Sequence, residues 1–484
     1  MNFLILCFRR STYVFALIGI SMIIYLFQYI DTENRKYASV ASRASNTNRF
    51  YNSSVGGFLI KSKSRQHMRQ RHIDGRYSEA CEQLHKPLQS EILYQHTYWQ
   101  VQRDGQEYVV VYSAFYDDRP IVGTRPYVRI LGVRRISHKP LWCHVWYKGN
   151  NKPFIIEAEI VKIGRNYPFP GHYIYSQNMF SCPLDNVDSI PTHASITFQQ
   201  CGLSSIFLPI TTPRRSNEWS HNIGACLRVN SGYFPPEQIV EWMETYSMFG
   251  LTQVNIYNGS FDGKLDQVFE YYIRKGFVEL RQMPPPVGVY GTKEVKLGSP
   301  ASFNDCMLRN MYSHRFVVFV DFDEIIVPRI HNNYAEMLDH LDRLSHLPNT
   351  HHTYSFRNAY FFQHFPEDRS QPEFLRTMRL RYRANRPSAF LVRPKSFIDP
   401  RRCKSLFDQY CFDRSNKKDF LTMSVNMSIA LSHHYRSGCP FSRFRCDQYD
   451  RKKIQDNIML KFKDVLLRRV STALKAIGVE TVGL

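Results

Sequence analysis

The sequence has no Cys-x-x-Cys pair, no Gly-x-Gly-x-x-Gly, no Gly-x-x-x-x-Gly-Lys-[Ser/Thr] and no Gly-x-Ser-x-Gly. The first absence argues against a structural zinc site. The second and third remove the dinucleotide fingerprint and the P-loop. The last, together with the lack of Asp-x-Asp-Gly-[Thr/Val], leaves no nucleophile motif for a metal-dependent hydrolase or phosphotransferase, the alternative class that also uses Asp-x-Asp. Acid is scarce: 42 Asp+Glu face 63 Lys+Arg, for a net charge of +21. Such an excess suits an anionic partner, whether nucleic acid, membrane or small molecule, and the compartment decides among them. No internal repeat is evident, and the 43% apolar content of 484 residues is ample for one large domain or two.

Charge is also missing from Ser11–Ile30, STYVFALIGISMIIYLFQYI, a run long enough to cross a bilayer as a helix. Arg9 and Arg10 precede it and Asp31 and Glu33 follow, so the positive-inside rule leaves residues 1–10 in the cytosol and the rest in the lumen. The run exceeds a signal-peptide core and lacks a small-x-small cleavage site, so residues 11–30 are expected to be a retained signal-anchor. A luminal chain meets little nucleic acid, which removes that partner. Beyond Cys7, ten cysteines remain: Cys81, Cys143, Cys182, Cys201, Cys226, Cys306, Cys403, Cys411, Cys439 and Cys446. An even set fits disulfides in an oxidising compartment, with the pairing left open. Sequons occur at Asn52, Asn258 and Asn426. Asn52 is the expected glycan site, because Asn258 ends a strand on the edge where a ligand would bind.

Residues 31–93, rich in Ser, Asn, Arg and Gln over most of their length, read as a stem. Residues 94–212 hold short β-rich runs such as EYVVVYSAFYD and YVRILGVRRI, broken by Gly, Pro and Asp, and read as a β-rich part. Residues 213–484 alternate strand and helix. Ala225–Val229 is followed by a helix opened by Pro235-Pro236 and closed at Gly250. Gln253–Tyr257, a second helix to Gly276 and Phe277–Leu280 come next. A Pro-rich loop over 283–298 then leads to a helix starting at Ser299-Pro300. This order predicts an α/β fold with a mostly parallel, doubly wound, Rossmann-like sheet.

The helix delivers the chain to FVVFVDFDEIIVPR, Phe316–Arg329. Five consecutive apolar residues suit a strand buried on both faces. The acids Asp321, Asp323 and Glu324 then fall at the carboxyl end of that strand, where open α/β sheets bind ligands. Carboxylates there need a cation, basic partners or water, and a hard divalent ion carrying a phosphate is the first candidate.

The run CLRVNSGYFPPEQIVEWMETYSMFGLTQVNIYNGS, with SFNDCMLRNM, VVFVDFDEIIVP, FLVRPKSF and LSHHYR, resembles glycosyltransferase family 92, and VYSAFYDDR is similar to the start of that family's domain. The resemblance implies a GT-A-type fold and a Golgi membrane enzyme. It also implies metal-dependent, inverting transfer of galactose from UDP-galactose to a glycan on a glycoprotein or glycolipid. A different UDP-sugar, or a protein that binds glycans without turnover, are the alternatives. It further implies Mn²⁺, or Mg²⁺, on Asp323, with Asp321 reaching the ion through water or holding the ribose. Glu324 supports the site from behind or pairs with Arg329. His434, in preference to His433, completes the metal shell, and an imidazole favours manganese. Arg393, Lys395 and Arg436 are candidates for the diphosphate. Asn304 and Asp305 line the nucleotide pocket or serve the helix dipole. An inverting reaction needs a carboxylate base, and Glu367 and Asp368 are the candidates.

Overall fold

The computed structural model describes residues 81–479 except 96, 169–173, 186–188, 230–233, 260–264, 287–291, 345–352, 390–391, 408–409, 412–421 and 440–442. These lie in one compact unit, Ile73–Leu484. The expected anchor at 11–30, and Asn52, lie outside the described residues. None of the described helices is long and apolar enough to cross a membrane. The stem expected to reach residue 93 ends sooner. Cys81 is bonded to Cys201, and Leu84 packs beside Cys81 and Ile155, so the folded unit has begun by residue 81.

The β-rich part is an eleven-stranded sheet whose long members are Glu107–Asp117, Tyr127–Arg135 and Ile174–Pro183. From Ile223 the chain alternates: β1 (Ile223–Val229), α1 (Pro236–Met248), β2 (Gln253–Asn258), α2 (Asp266–Arg274), β3 (Val278–Gln282), α3 (Thr292–Arg309) and β4 (Phe316–Phe319). Then follow β5 (Glu324–Pro328), α4 (Tyr334–Leu344), β6 (Thr353–Phe356), β7 (Asn358–Phe362), α5 (Arg376–Arg379), β8 (Lys395–Ile398), β9 (Thr422–Ser424) and β10 (Ala430–Arg436). Two helices close the chain, α6 (Arg443–Asp450) and α7 (Lys463–Ile477).

The central sheet has the order β3-β2-β1-β4-β8-β6-β9, with β3, β2, β1 and β4 parallel and β8 antiparallel to both its neighbours. A smaller sheet, β5-β10-β7, stands beside it. The chain is therefore mixed α/β. Side-chain alternation sorts β1 between two cores. Ile223, Ala225, Leu227 and Val229 join α1, α2, α4 and α7, whereas Cys226 joins α3 and one face of the eleven-stranded sheet. The β-rich part thus covers the second face of the central sheet through α3, and the Cys226–Cys306 disulfide fastens α3 to β1. All ten of these cysteines pair, the others as Cys143–Cys182, Cys403–Cys411 and Cys439–Cys446 beside Cys81–Cys201.

One local expectation fails. The helix before β4 begins at Thr292, not Ser299, and carries Pro300 inside it. Gly298 sits there because a Cβ would come within 2.8 Å of the Arg228 guanidinium. Further on, the strand-like stretch Thr353–Phe362 divides between two sheets, β6 in the large one and β7 in the small one.

The motif VYSAFYDDR ends in a buried staple. The Asp117 carboxylate takes Arg119 Nε at 2.8 Å and Arg129 Nε at 3.1 Å, while Arg119 Nη1 donates to the Cys403 carbonyl at 2.6 Å. Burial raises the Asp117 carboxyl, but the two guanidinium groups outweigh it and hold it at about 2, below the ordinary 3.8. A depressed carboxyl contributes stability above its unfolded-state pKa, which is lost as pH falls from about 4 toward 2. Asp117→Asn should therefore cost about 3–5 kcal/mol at neutral pH, since two buried cations lose their partner. Denaturant unfolding at pH 7 and pH 3 checks this, with the gap between variant and parent narrowing at the lower pH.

Candidate active site at the sheet junction

β4 ends at Phe319 in the large sheet and β5 begins at Glu324 in the small one, so Asp321-Phe322-Asp323 is a turn between two sheets. The Glu324 N–H donates to the Asp321 carbonyl at 3.0 Å and closes it. Phe322 turns inward and packs on Trp242, Phe234 and Phe269, which leaves the flanking carboxylates facing away from the core. From α1, Trp242 Nε1 donates to the carbonyls of Asp321 at 3.1 Å and Glu324 at 2.9 Å, and Gln238 donates to the Phe322 carbonyl at 3.3 Å.

Behind the turn lies a buried charge cluster. Lys395 Nζ, at the start of β8, is 2.6 Å from Glu324 Oε2 and 3.1 Å from Asp321 Oδ2. Burial lowers the lysine's affinity for its proton, but the two carboxylates reverse that and raise it. Glu324 pairs with this lysine and not with Arg329, which goes to Asp456 at 2.8 Å. Burial raises Glu324 itself, against the opposing pull of Lys395 and His434.

In front, His434 Nε2 lies 3.2 Å from Asp323 Oδ2, and His434 Nδ1 lies 3.2 Å from Glu324 Oε1. The second contact is close but not aligned as a hydrogen bond. Arg436 Nη1 is 3.3 Å from His434 Nε2. Asp323 can only accept from Nε2 and Arg436 can only donate to it, so the two contacts call for opposite states of that nitrogen and compete for it. Burial raises the Asp323 carboxyl, and His434, Arg436 and Lys395 outweigh it, leaving it below the ordinary carboxylate range. Asp323, Glu324 and His434 could together hold a cation, their candidate ligand atoms lying within 4.8 Å of one another. The donor set fits a divalent ion: a carboxylate oxygen and an imidazole nitrogen meet at one place, and a second carboxylate lies at the other imidazole nitrogen, where it would orient the ring with an ion bound.

Several expected residues stand elsewhere. His433 alternates to the opposite face of β10, where it is buried against Phe361 with Nδ1 3.2 Å from the Tyr435 hydroxyl, and burial pushes it down to about 4. It cannot share an ion with its neighbour. Asn304 spends its amide on structure: Nδ2 donates to the carbonyls of Pro300 and Leu406, and Oδ1 accepts from the Leu406 N–H. Asp305 is fully buried under Tyr257 and Arg309, at 2.6 Å from each, and so lines no open pocket. Asp368 is locked by Ser370, Gln371 and Arg381, and the Ser370 hydrogen bonds with Arg381 hold it at about 2. Arg393 is exposed, with a φ of 48°, and its carbonyl accepts from Asn358 Nδ2 at 2.6 Å. The Asn258 amide is pinned to Gln282 at 2.8 Å.

Glu367 is different. It lines a cavity of about 550 Å³ together with Gln238, Gln363 and Arg376, and its Oε1 is 2.6 Å from Arg379 Nε. The cavity adjoins the acidic turn, since Gln238 binds Phe322 and the Gln363 N–H donates to the Arg436 carbonyl. The clamp on the turn (Trp242, Gln238) and Arg376 were missed from sequence. Only the helical spacing of Gln238 and Trp242 on one side of α1 pointed toward it.

The fold and site define a mixed α/β protein with a carboxylate–imidazole cluster at the carboxyl edge of its parallel strands. More narrowly, residues 221–474, over half of the chain, match the model of glycosyltransferase family 92, and the protein belongs to that family. A Caenorhabditis elegans protein named beta-1,4-galactosyltransferase galt-1 is 24% identical over 237 residues, 46% of this chain and 52% of that one, so the chain spans about half of its length. A solved structure of a mycobacterial protein matches at a TM-score of 0.18 with 15% identity, over 29% of this chain and 41% of that one, which carries no argument. VYSAFYDDR lies before the family match, where its acid and arginine serve the staple described above.

Replacing Lys395 tests the cluster. Lys395→Met should destabilise the protein by about 3–5 kcal/mol, because Glu324 stays buried without its cation. Adding Glu324→Gln should recover part of that loss. Urea unfolding of the single and double variants measures both.

Proposed function

We propose that the protein is a metal-dependent, inverting galactosyltransferase that moves galactose from UDP-galactose to a hydroxyl of a glycan. The observation that carries the reading is the approach of Asp323 Oδ2 and His434 Nε2 to 3.2 Å at the sheet edge of a family 92 chain. The run β3-β2-β1-β4 reproduces the 3-2-1-4 order of a doubly wound nucleotide-binding sheet, with the acidic turn directly after the fourth strand, and this supports a GT-A-type fold. The galactose rests on the relative's name alone. A divalent ion held by Asp323 and His434, manganese in preference to magnesium because of the imidazole, would supply Lewis-acid stabilisation of the leaving diphosphate.

The chain's own residues account for the rest. Glu324 orients His434, Lys395 keeps Glu324 ionised, and Asp321, half exposed at the turn, reaches toward the donor. Glu367 is the base of choice, since it faces the cavity beside the turn while Asp368 is tied into its own loop. Glu367 takes the proton of the acceptor hydroxyl as that oxygen attacks the sugar carbon from the face opposite the diphosphate. Arg379 holds the carboxylate in position. Five disulfides suit an oxidising compartment and, with the anchor-like run at 11–30, support a Golgi-luminal type II protein.

Asp323→Ala should abolish UDP release from UDP-galactose with Mn²⁺ and a glycan acceptor while leaving the thermal transition in place. Glu367→Gln should cut kcat roughly 10²–10⁴-fold, the usual contribution of a general base. Release from another UDP-sugar only would replace galactose. Silence of the parent protein with every UDP-sugar would favour a glycan-binding protein without turnover.

A further inference from the structure

The cavity beside the acidic turn is walled by Gln238, Gln363, Glu367, Phe374, Arg376 and Arg379. Its two arginines differ. Arg379 is paired, with Nε 2.6 Å from Glu367 and Nη1 4.0 Å from Glu373. Arg376 makes no ion pair among the described residues, and its Nε is buried without a hydrogen-bond acceptor. Its guanidinium carbon lies 5.1 Å from the centre of the Tyr435 ring. The neighbouring carboxylate, Glu241, acts on it through charge, while its oxygens are taken up by other donors. Glu241 accepts from the backbone N–H groups of Arg376 at 3.1 Å and Thr377 at 2.9 Å, and from the Thr377 hydroxyl at 2.7 Å. Glu241 thereby fixes where α5 starts and where the arginine points, and it favours the guanidinium through charge without forming an ion pair with it. The guanidinium is partly exposed and lines the cavity, so an anion entering there meets donors that no carboxylate has taken in an ion pair.

We propose that Arg376 receives the diphosphate of the nucleotide donor, with Glu241 as its positioning residue. This rests on the glycosyl-transfer reading and adds to it a residue that carries no recognisable motif. The other cations of the site are engaged: Lys395 lies between Asp321 and Glu324, and Arg436 Nη1 stands 3.3 Å from His434 Nε2. Arg376 also feels Asp323 electrostatically, so the anion that reaches Asp323 is within its influence. Its planar fork of donors suits phosphate oxygens. In the transfer, the bond between the sugar carbon and the β-phosphate oxygen breaks and its electron pair stays on that oxygen. The acceptor oxygen bonds to the carbon, and its proton passes to Glu367. Negative charge therefore grows on the diphosphate, which is the charge a guanidinium stabilises.

Calorimetric titration of UDP, uridine and pyrophosphate into the parent protein, Arg376→Gln and Arg376→Lys, with Mn²⁺ and with EDTA, tests this. Loss of a charge-assisted hydrogen bond should weaken UDP and pyrophosphate by roughly 10- to 100-fold in the Gln variant. Uridine affinity should stay unchanged, and the Lys variant should recover part of the loss. Glu241→Gln should weaken UDP in the same direction with uridine unaffected. Arg376→Gln should keep a single cooperative thermal transition, which shows that the loss of anion affinity is not a loss of fold. Equal UDP affinity in parent and Gln variant overturns the proposal. So does a parallel loss of UDP and uridine affinity, or a defect confined to the KM of the acceptor. If the parent binds pyrophosphate through Arg376 but does not bind UDP, the anion site stands and the nucleotide-sugar reading falls.

Discussion

One buried lysine holds the site together. Lys395 stands at the start of the antiparallel strand β8 and reaches Glu324, the first residue of β5 in the other sheet. Side chains on both are nearly inaccessible, so neither charge has water to fall back on, and the pair joins two sheets that share no backbone ladder. The acidic turn is a short chain segment that crosses this junction. Its shape follows from the join: Phe322 anchors inward, Trp242 takes two of its carbonyls, and Asp321 and Asp323 are left facing outward.

The same join explains the electrostatics. Glu324 Oε2 takes Lys395 and the Asp321 N–H, and Oε1 faces His434 Nδ1. The lysine opposes the upward push of burial on the carboxyl, and with an ion on Nε2 the carboxylate would orient the imidazole through Nδ1. A cluster of this kind gathers carboxylate and imidazole ligand atoms at one point while arginines stand around it. Arg436 and Arg376 approach from different sides, one toward the imidazole and one from the cavity wall. The eleven-stranded sheet acts at a distance: it covers α3, which covers the face of β1 carrying Cys226, and the Asp117–Arg119 staple ties it to the segment after β8.

Much of this was legible in the sequence because it depends on local pattern. Short apolar runs, Pro236 in the first turn of α1 and Gly250 with its φ of 99° marked the alternating elements. Strand alternation also decides between His433 and His434, once the face of β10 that meets Glu324 is known, and that knowledge is tertiary. Asn304 and Asp305 looked like pocket residues, but their partners, Leu406 and Tyr257, are distant in sequence, and polar side chains buried in a core are consumed by such partners. The split of Thr353–Phe362 was hidden because a single residue, Arg357, separates β6 from β7, and so short a break does not record a change of sheet. Arg376 was invisible for a different reason: in a chain with 63 Lys and Arg, only its place on the cavity wall sets it apart, and that place is tertiary.

The central claim is that Asp323 and His434 form a divalent-ion site made for a nucleotide diphosphate. Titration of Mn²⁺ followed by electron paramagnetic resonance, with UDP present, tests it most directly. The account predicts one ion bound per chain, nitrogen coupling from the imidazole, and loss of both in His434→Ala with His433 intact. Binding that survives His434→Ala unchanged, or no stoichiometric binding by the parent protein, would contradict it.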